Sequence, residues 1–318
     1  MKKIISLVLL AAIALFALAS CAPAEKDYTL AIGMSVTGNA DIEDSRNNGK
    51  IGANVAVLVL DGDNKIVAAR LDTIEYKVKA GGKGATPSLN VTAPTSKMEL
   101  GDDYNMKGSS ELGKEWDEQM KWLESYLVGK TADEVAAMEM DDIKAGCTVT
   151  TTVNDHKVAI ANAFASTTKT TFAKPEGEFT VGAKIMMTVK NNTTGSATTG
   201  ANEYKVGVDA EAAGVVVQEG KIVASTLDAA QTEMIANGDF KATSFTYKAN
   251  ASKRAQGEDY MMGTEIPRSW ATMADAFCAA TVGKAATELA DVTAAECTMP
   301  YSPATFKANL AAAMGLAR

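Results

Sequence analysis

Hydrophobic and polar positions follow two periods along the chain, and the change from one to the other occurs twice. Residues 28–36 (YTLAIGMSV), 53–60 (ANVAVLVL) and 65–78 (KIVAARLDTIEYKV) are rich in β-branched and aromatic residues and predict strands. Asp61-Gly62-Asp63-Asn64 has the composition of a tight turn, so the last two strands form a hairpin. Strict alternation in the return strand places Ile66, Ala68 and Arg70 on one side, and Val67, Ala69 and Leu71 on the other. The polar stretches 37–52 and 79–95 predict loops. The period then lengthens. Trp116, Met120, Leu123 and Leu127 stand at i, i+4, i+7 and i+11, one face of a helix. Gly129 falls where a helix C-cap is expected, and Thr131 with Glu134 forms a capping box for a short helix turning Val135 and Met138 inward. Residues 147–164 close the set with an alanine-rich helix, on whose surface His156 is expected.

The second half repeats this order. Strands are predicted over 179–189, 204–217 and 221–227, with a turn at Gln218-Glu219-Gly220, a loop over 190–202 and a further strand within FKATSFTYKA at 240–249. Trp270, Met273 or Ala274, Phe277 and Thr281 form the helical stripe, Gly283 the C-cap, and Phe306, Leu310 and Met314 the closing helix. Lys-Ile-Val-Ala occurs at 65–68 and again at 221–224. The densest correspondence is SKMELGDDYNMK at 96–107 against SKRAQGEDYMM at 252–262, where Gly101 and Gly257 mark turns with unusual backbone angles. The chain therefore reads as a tandem duplication: repeat domain 28–168, linker 169–178 and repeat domain 179–318. Strands followed by helices predict an α+β fold, each repeat a small, mostly antiparallel sheet with helices packed on one face.

Composition adds an address. The 318 residues, 47% hydrophobic and 22% charged, suit two soluble domains, each with its own core. A net charge of -8 argues against nucleic-acid binding, which needs attraction to phosphates. Lys2 and Lys3 precede an apolar run, 4–18, too short for a comfortable membrane span. It ends in Leu18-Ala19-Ser20-Cys21, which resembles the bacterial lipobox, whose cysteine carries diacylglycerol once the preceding peptide is removed. The reading is a signal peptide over 1–20, lipidation at Cys21, a tether over 21–27, and a protein held by a lipid anchor on the extracytoplasmic face of the cell membrane. Cys147, Cys278 and Cys297 remain. They serve either as small buried apolar residues or, for Cys278 and Cys297, as a local bridge.

Candidate chemistry is sparse. The single histidine has no counterpart in the second half, so no catalytic set is shared by both halves and no catalytic residue is assigned. The histidine count excludes histidine-rich zinc sites, and no metal site is assigned. The polar cluster present twice is Asp102, Asp103 and Tyr104, matched by Glu258, Asp259 and Tyr260. Its carboxylates either cap the following helix or contact a hard cation or ligand. Trp116 and Trp270 are core residues or stacking partners of a planar ligand.

With its hairpin and its ELGDDYNMK, KEWDEQ and VGKTADEV runs, the chain resembles secreted, duplicated lipoproteins of Firmicutes. The hairpin VAVLVLDGDNKIVAARLD is also similar to the start of the small FMN-binding domain of surface electron-transfer lipoproteins. That family attaches flavin to the last threonine of a Ser/Thr-Gly-Ala-Ser/Thr motif. Here Lys83-Gly84-Ala85-Thr86 lacks the leading hydroxyl residue and Thr199-Gly200-Ala201-Asn202 lacks the final threonine. The resemblance implies Thr86 as the flavin attachment residue and FMN as the cofactor. Two functions follow as expectations: a non-enzymatic lipoprotein binding a small molecule or surface protein, or an FMN-binding electron-transfer lipoprotein.

Overall fold

The computed structural model describes residues 26–41, 48–79, 88–89, 94–194, 203–237, 244–249, 251–262, 268–293 and 303–318. Strands β1 (Tyr28–Asp41), β2 (Asn48–Leu60), β3 (Ile66–Lys79), β4 (Ser88–Leu89) and β5 (Thr170–Phe172) form one sheet in the order β4-β3-β2-β1-β5. Strands β6 (Thr180–Thr194), β7 (Glu203–Gln218), β8 (Lys221–Asn237) and β9 (Ser244–Ala249) form a second, in the order β6-β7-β8-β9. Every pairing is antiparallel.

The first half carries helices α1 (Lys97–Leu100), α2 (Trp116–Leu127), α3 (Ala132–Ala136), α4 (Met140–Ile143) and α5 (Thr150–Ala165). The second carries α6 (Lys253–Gln256), α7 (Trp270–Thr281) and α8 (Pro303–Gly315). The fold is α+β, with helices on one face of each sheet. Helices α2 and α5 pack on β3, β1 and β2, while α7 and α8 pack on β8, β7 and β6.

The two remaining sheet faces pack against each other, giving four layers: helices, sheet, sheet, helices. Instead of the two separate cores expected from sequence, the described residues form three clusters, and the middle one draws on both halves. Strand β2 shows why 55–60 is apolar throughout. Val55, Val57 and Val59 point into the middle core, and Ala56, Leu58 and Leu60 point toward the helices. A strand buried on both faces reads as a continuous apolar run. Each valine so buried contributes on the order of 1.5–3 kcal/mol, and separating the halves would expose them. Gly214 on β7 lets Val57 approach, because a side chain there would overlap it.

Close packing also sets the helix layers. A Cβ on Gly33 of β1 would overlap the backbone of Ala159 and Ala163 in α5, and one on Gly182 of β6 would overlap the Ala313 carbonyl in α8. Trp116, Met120, Leu123 and Leu127 are all buried, as the helical stripe predicts, and so are Trp270, Met273, Ala274, Phe277 and Thr281.

Three local expectations are corrected. The strands run further into the polar stretches than their composition suggested: β1 to Asp41, β2 from Asn48 and β6 to Thr194, since ladder bonds to a neighbour stabilise polar residues in extended form. The stretch 169–178 is more than a linker, because Thr170–Phe172 pairs with Tyr28–Leu30 before the chain enters the second sheet. The alternation of β3 is broken by a bulge. Val59 faces Ala68 and Leu60 faces Ile66, which leaves Val67 extra. Ile66 therefore joins Ala69 and Leu71 on the helix side rather than Ala68. The same skip occurs at Val223, between Ala224 and Ile222.

Candidate functional site

The stretches 96–107 and 252–262 fold into two matched corners at the helix side of the sheets. In the first, Ser96 caps α1 in a capping box with Glu99. The preceding strand supplies Asp72, 1% exposed, whose Oδ1 accepts the amides of Thr73 at 2.8 Å and Met98 at 3.0 Å. Burial pushes this carboxyl up to about 7, against the pull of the Ser96 hydroxyl and the two amides. In the second, Ser252 caps α6. Asp228 Oδ1 accepts the amides of Ala229 at 2.8 Å and Arg254 at 3.0 Å. Burial pushes Asp228 up to about 6, opposed first by the Ser252 hydroxyl and then by Arg254.

Gly101 and Gly257 adopt φ values of 49° and 55°, the left-handed side that glycine tolerates, and turn the chain back over its helix. That turn brings the aromatic pairs together around a lysine. Lys97 Nζ lies 5.0 Å from the Tyr104 ring centre and 5.8 Å from that of Trp116. Lys253 Nζ lies 5.2 Å from Tyr260 and 5.8 Å from Trp270. Both are cation–π arrangements on a tyrosine and a buried tryptophan. Lys97 also pairs with Glu75 at 3.1 Å, and Glu75 with Lys50.

Of the residues singled out from sequence, Tyr104 with Trp116 and Tyr260 with Trp270 are brought together; the two tryptophans are core residues. Asp102 and Asp103 are exposed and do not cap α2. The start of that helix is closed by Glu118, whose carboxylate accepts the Glu115 amide at 2.8 Å, while Glu115 accepts the amides of Met106 and Lys107. Glu258 does join the start of α7, accepting the hydroxyls of Ser269 and Thr272 at 3.1 Å each, and Asp259 is exposed. Sequence reasoning passed over Lys97, Lys253, Asp72 and Asp228. Their signal was visible in the repeated Ser-Lys and in Leu-Asp at 71–72 and 227–228.

His156 is fully buried rather than on the helix surface, because α5 turns it toward β3. Its Nε2 lies 3.1 Å from the Thr73 hydroxyl, which donates to Asn54 Oδ1 at 2.7 Å. Asn54 donates to Ser35 at 3.2 Å, and Ser35 to the Asp155 carbonyl at 2.8 Å. Since the Thr73 proton is committed to Asn54, Nε2 is the protonated nitrogen of His156. Burial, aided by Lys97, lowers this imidazole to about 3, so it stays neutral. Phe306 stands against Trp270, ring centres 6.1 Å apart, as His156 stands against Trp116 at 6.2 Å. The polar chain thus belongs to the first half alone.

Among the described residues, no group of three metal-ligating side chains comes together. Cys147 and Cys278 are buried in different helix-side cores, and burial raises the Cys147 thiol. Cys297, Cys21, Thr86 and the 199–202 motif lie outside the described residues. Two open clefts lie apart from the corners. One, of about 420 Å³, lies between α3 and α5 beside Val135, Lys157 and Phe164; the other, of about 560 Å³, lies at the β7–β8 turn beside Phe179 and Val217.

No family model matches the chain, and no solved structure does. Among curated proteins it is similar to a chlorophenol reductase of Desulfitobacterium hafniense, 30% identical over 125 residues, an alignment that covers 36% of this chain and 38% of that protein. The chain thus spans less than two fifths of the relative's length.

Proposed function

We propose that the protein is a lipid-anchored lipoprotein of the extracytoplasmic membrane face, built from two units that descend from one by duplication, and that it binds a small molecule or surface protein without catalysing a reaction. The observation that carries the anchor is the run Lys2-Lys3, apolar 4–18, then Leu18-Ala19-Ser20-Cys21. Two acyl chains hold a protein at a bilayer through the burial of their methylenes, each contributing about 0.8 kcal/mol. Duplication is supported by the shared strand order, by the bulges at Val67 and Val223, and by the buried Asp72 and Asp228, which accept amides at matched positions. Binding rather than turnover is supported by the corners, where Asp72 and Asp228 are engaged in capping and Lys97 and Lys253 in packing on the aromatic rings.

The anchor is tested by fractionating cells that express wild type and Cys21→Ala. Wild type is expected in the membrane fraction and the variant in the soluble one; a variant that stays in the membrane refutes lipidation at Cys21. The ligand is sought by thermal shift against a small-molecule panel, since a binder of the native state raises its melting temperature by mass action.

A flavin-carrying electron-transfer lipoprotein is the second reading. It is favoured by the resemblance of the β2–β3 hairpin to FMN-binding domains and by the partial match to a protein named for reductase activity. Protein purified from cells able to attach flavin would be yellow, and its colour would be lost in Thr86→Ala. A colourless protein retires this reading.

A further inference from the structure

We propose that the end of the molecule bearing both hairpin turns, with Val128 and Val282 exposed on it, is seated against the lipid bilayer. This rests on the lipid-anchor reading and adds an orientation to it.

The placement follows from backbone bonds. The described chain begins beside the β2–β3 turn, where Lys26 pairs with Asp63. Cys21 is five residues before Lys26, so the extended chain between them reaches at most roughly 17 Å. A diacyl group on Cys21 therefore keeps this end within that reach of the membrane surface.

The same end gathers both halves. Ile66, the first residue of β3, exchanges bonds with the loop after α2: Gly129 donates to its carbonyl at 2.7 Å and its amide donates to the Lys130 carbonyl at 3.0 Å. Ile222 does the same with the loop after α7, through Gly283 at 2.8 Å and Lys284 at 2.9 Å. The two sheets run in register. Arg70 Nε donates to the Val181 carbonyl at 2.8 Å, and Thr170, paired with Leu30, donates to the Ser225 carbonyl at 3.2 Å. The β2–β3 and β7–β8 turns therefore share one end.

Large hydrophobic side chains exposed among the described residues are Val128 at 52%, Val158 at 52%, Met261 at 50% and Val282 at 51%. Two of these four stand at matched positions on the anchored end, each followed by glycine and lysine. Tyr126, stacked on Trp122 with ring centres 5.3 Å apart, lies two residues before Val128, under Lys130 at 4.3 Å. Apolar tips beside an aromatic pair and lysines suit a bilayer's interfacial zone, where amphipathic rings and snorkelling lysines are favoured. Charges near the first turn are of both signs, Lys26, Lys65 and Lys130 against Asp61, Asp63 and Glu134. The seating therefore needs no anionic lipid.

The test uses the full chain, purified in lipid-modified form and reconstituted in phosphatidylcholine vesicles with plain or brominated acyl chains. Three variants are compared: Val128→Trp, Val282→Trp and Met261→Trp. Met261 is the control away from the membrane, since it pairs with Ser269 at the start of α7, a helix of 12 residues that sets it roughly 20 Å from Val282 at the other end. Bromolipid is expected to quench the added emission at positions 128 and 282 and leave that at 261 unchanged. The exposed sites keep all three variants folded, which near-UV circular dichroism checks. Flotation with the vesicles reports the anchor separately. Floating protein with equal quenching at 261, or none at 128 and 282, overturns the orientation while the anchor stands. Wild-type protein that fails to float overturns both.

Discussion

Arg318 holds Glu124 through both carboxylate oxygens, at 2.7 Å each, and so ties the chain beside β6 in the second half to helix α2 of the first. Its own backbone is paired with Val181, whose carbonyl also takes Arg70 Nε. Glu124 is 3% exposed and further accepts the Leu71 amide at 2.8 Å. Burial pushes its carboxyl up, and Arg318 and Arg70 oppose that shift. Removing Glu124 takes the counter-charge from both guanidinium groups and the acceptor from the buried Leu71 amide. Glu124→Ala is therefore expected to lose about 3–5 kcal/mol of unfolding free energy, read as a lower urea midpoint. An unchanged midpoint would show that the contact between halves contributes nothing.

Asp72 and Asp228 make the folded protein less stable as pH rises. Both carboxyls are raised in the folded protein, to about 7 and about 6 from 3.8, so the folded state binds protons more tightly than the unfolded state. Their contribution is fully present below about 4 and is lost as pH rises through 6 and 7. At about 1.4 kcal/mol per unit, Asp72 alone accounts for on the order of 4 kcal/mol. In Asp72→Asn an amide oxygen can still accept from Thr73 and Met98. This variant is expected to be more stable than wild type at pH 8 and to show a flatter profile between pH 4 and 7 in denaturant titrations.

His156 acts in the opposite direction. Its folded value is lowered to about 3 from 6.5, so the unfolded state binds the proton more tightly between these values. The stability it confers is complete above about 6.5 and is lost as pH falls toward 3. Nitrogen-15 NMR at pH 5 should show a neutral ring protonated at Nε2. A charged ring at that pH would contradict the lowered value, and a neutral ring protonated at Nδ1 would contradict the Thr73 and Asn54 assignment.

Gly33 and Gly182 set how near α5 and α8 come to their sheets. Gly182→Ala forces a methyl into the Ala313 carbonyl and is expected to cost about 1–3 kcal/mol, while Gly315→Ala, where nothing lies nearby, should be tolerated. Thermal unfolding of the two variants tests this directly. Equal melting temperatures would mean that the helix layer shifts freely.

Local chemistry carried much of this protein in plain view. The stripe from Trp116 to Leu127, the turn at 61–64, and the Thr131 capping box form because of what neighbouring residues offer one another within a few positions. The α+β class followed from their order. The apolar run 55–60 of β2 fits burial on both faces, but nothing in it named the second sheet as the partner. Tertiary structure alone decided the rest. Which side Ile66 takes depends on a bulge against β2, and whether His156 meets water or Thr73 depends on how α5 settles on β3. The lysines reach Tyr104 and Tyr260 only because Gly101 and Gly257 fold the chain back. A hydrophobic period records that a side chain leaves water; it does not record its partner. The middle core, made by residues more than a hundred positions apart, is therefore a property of the packed sheets.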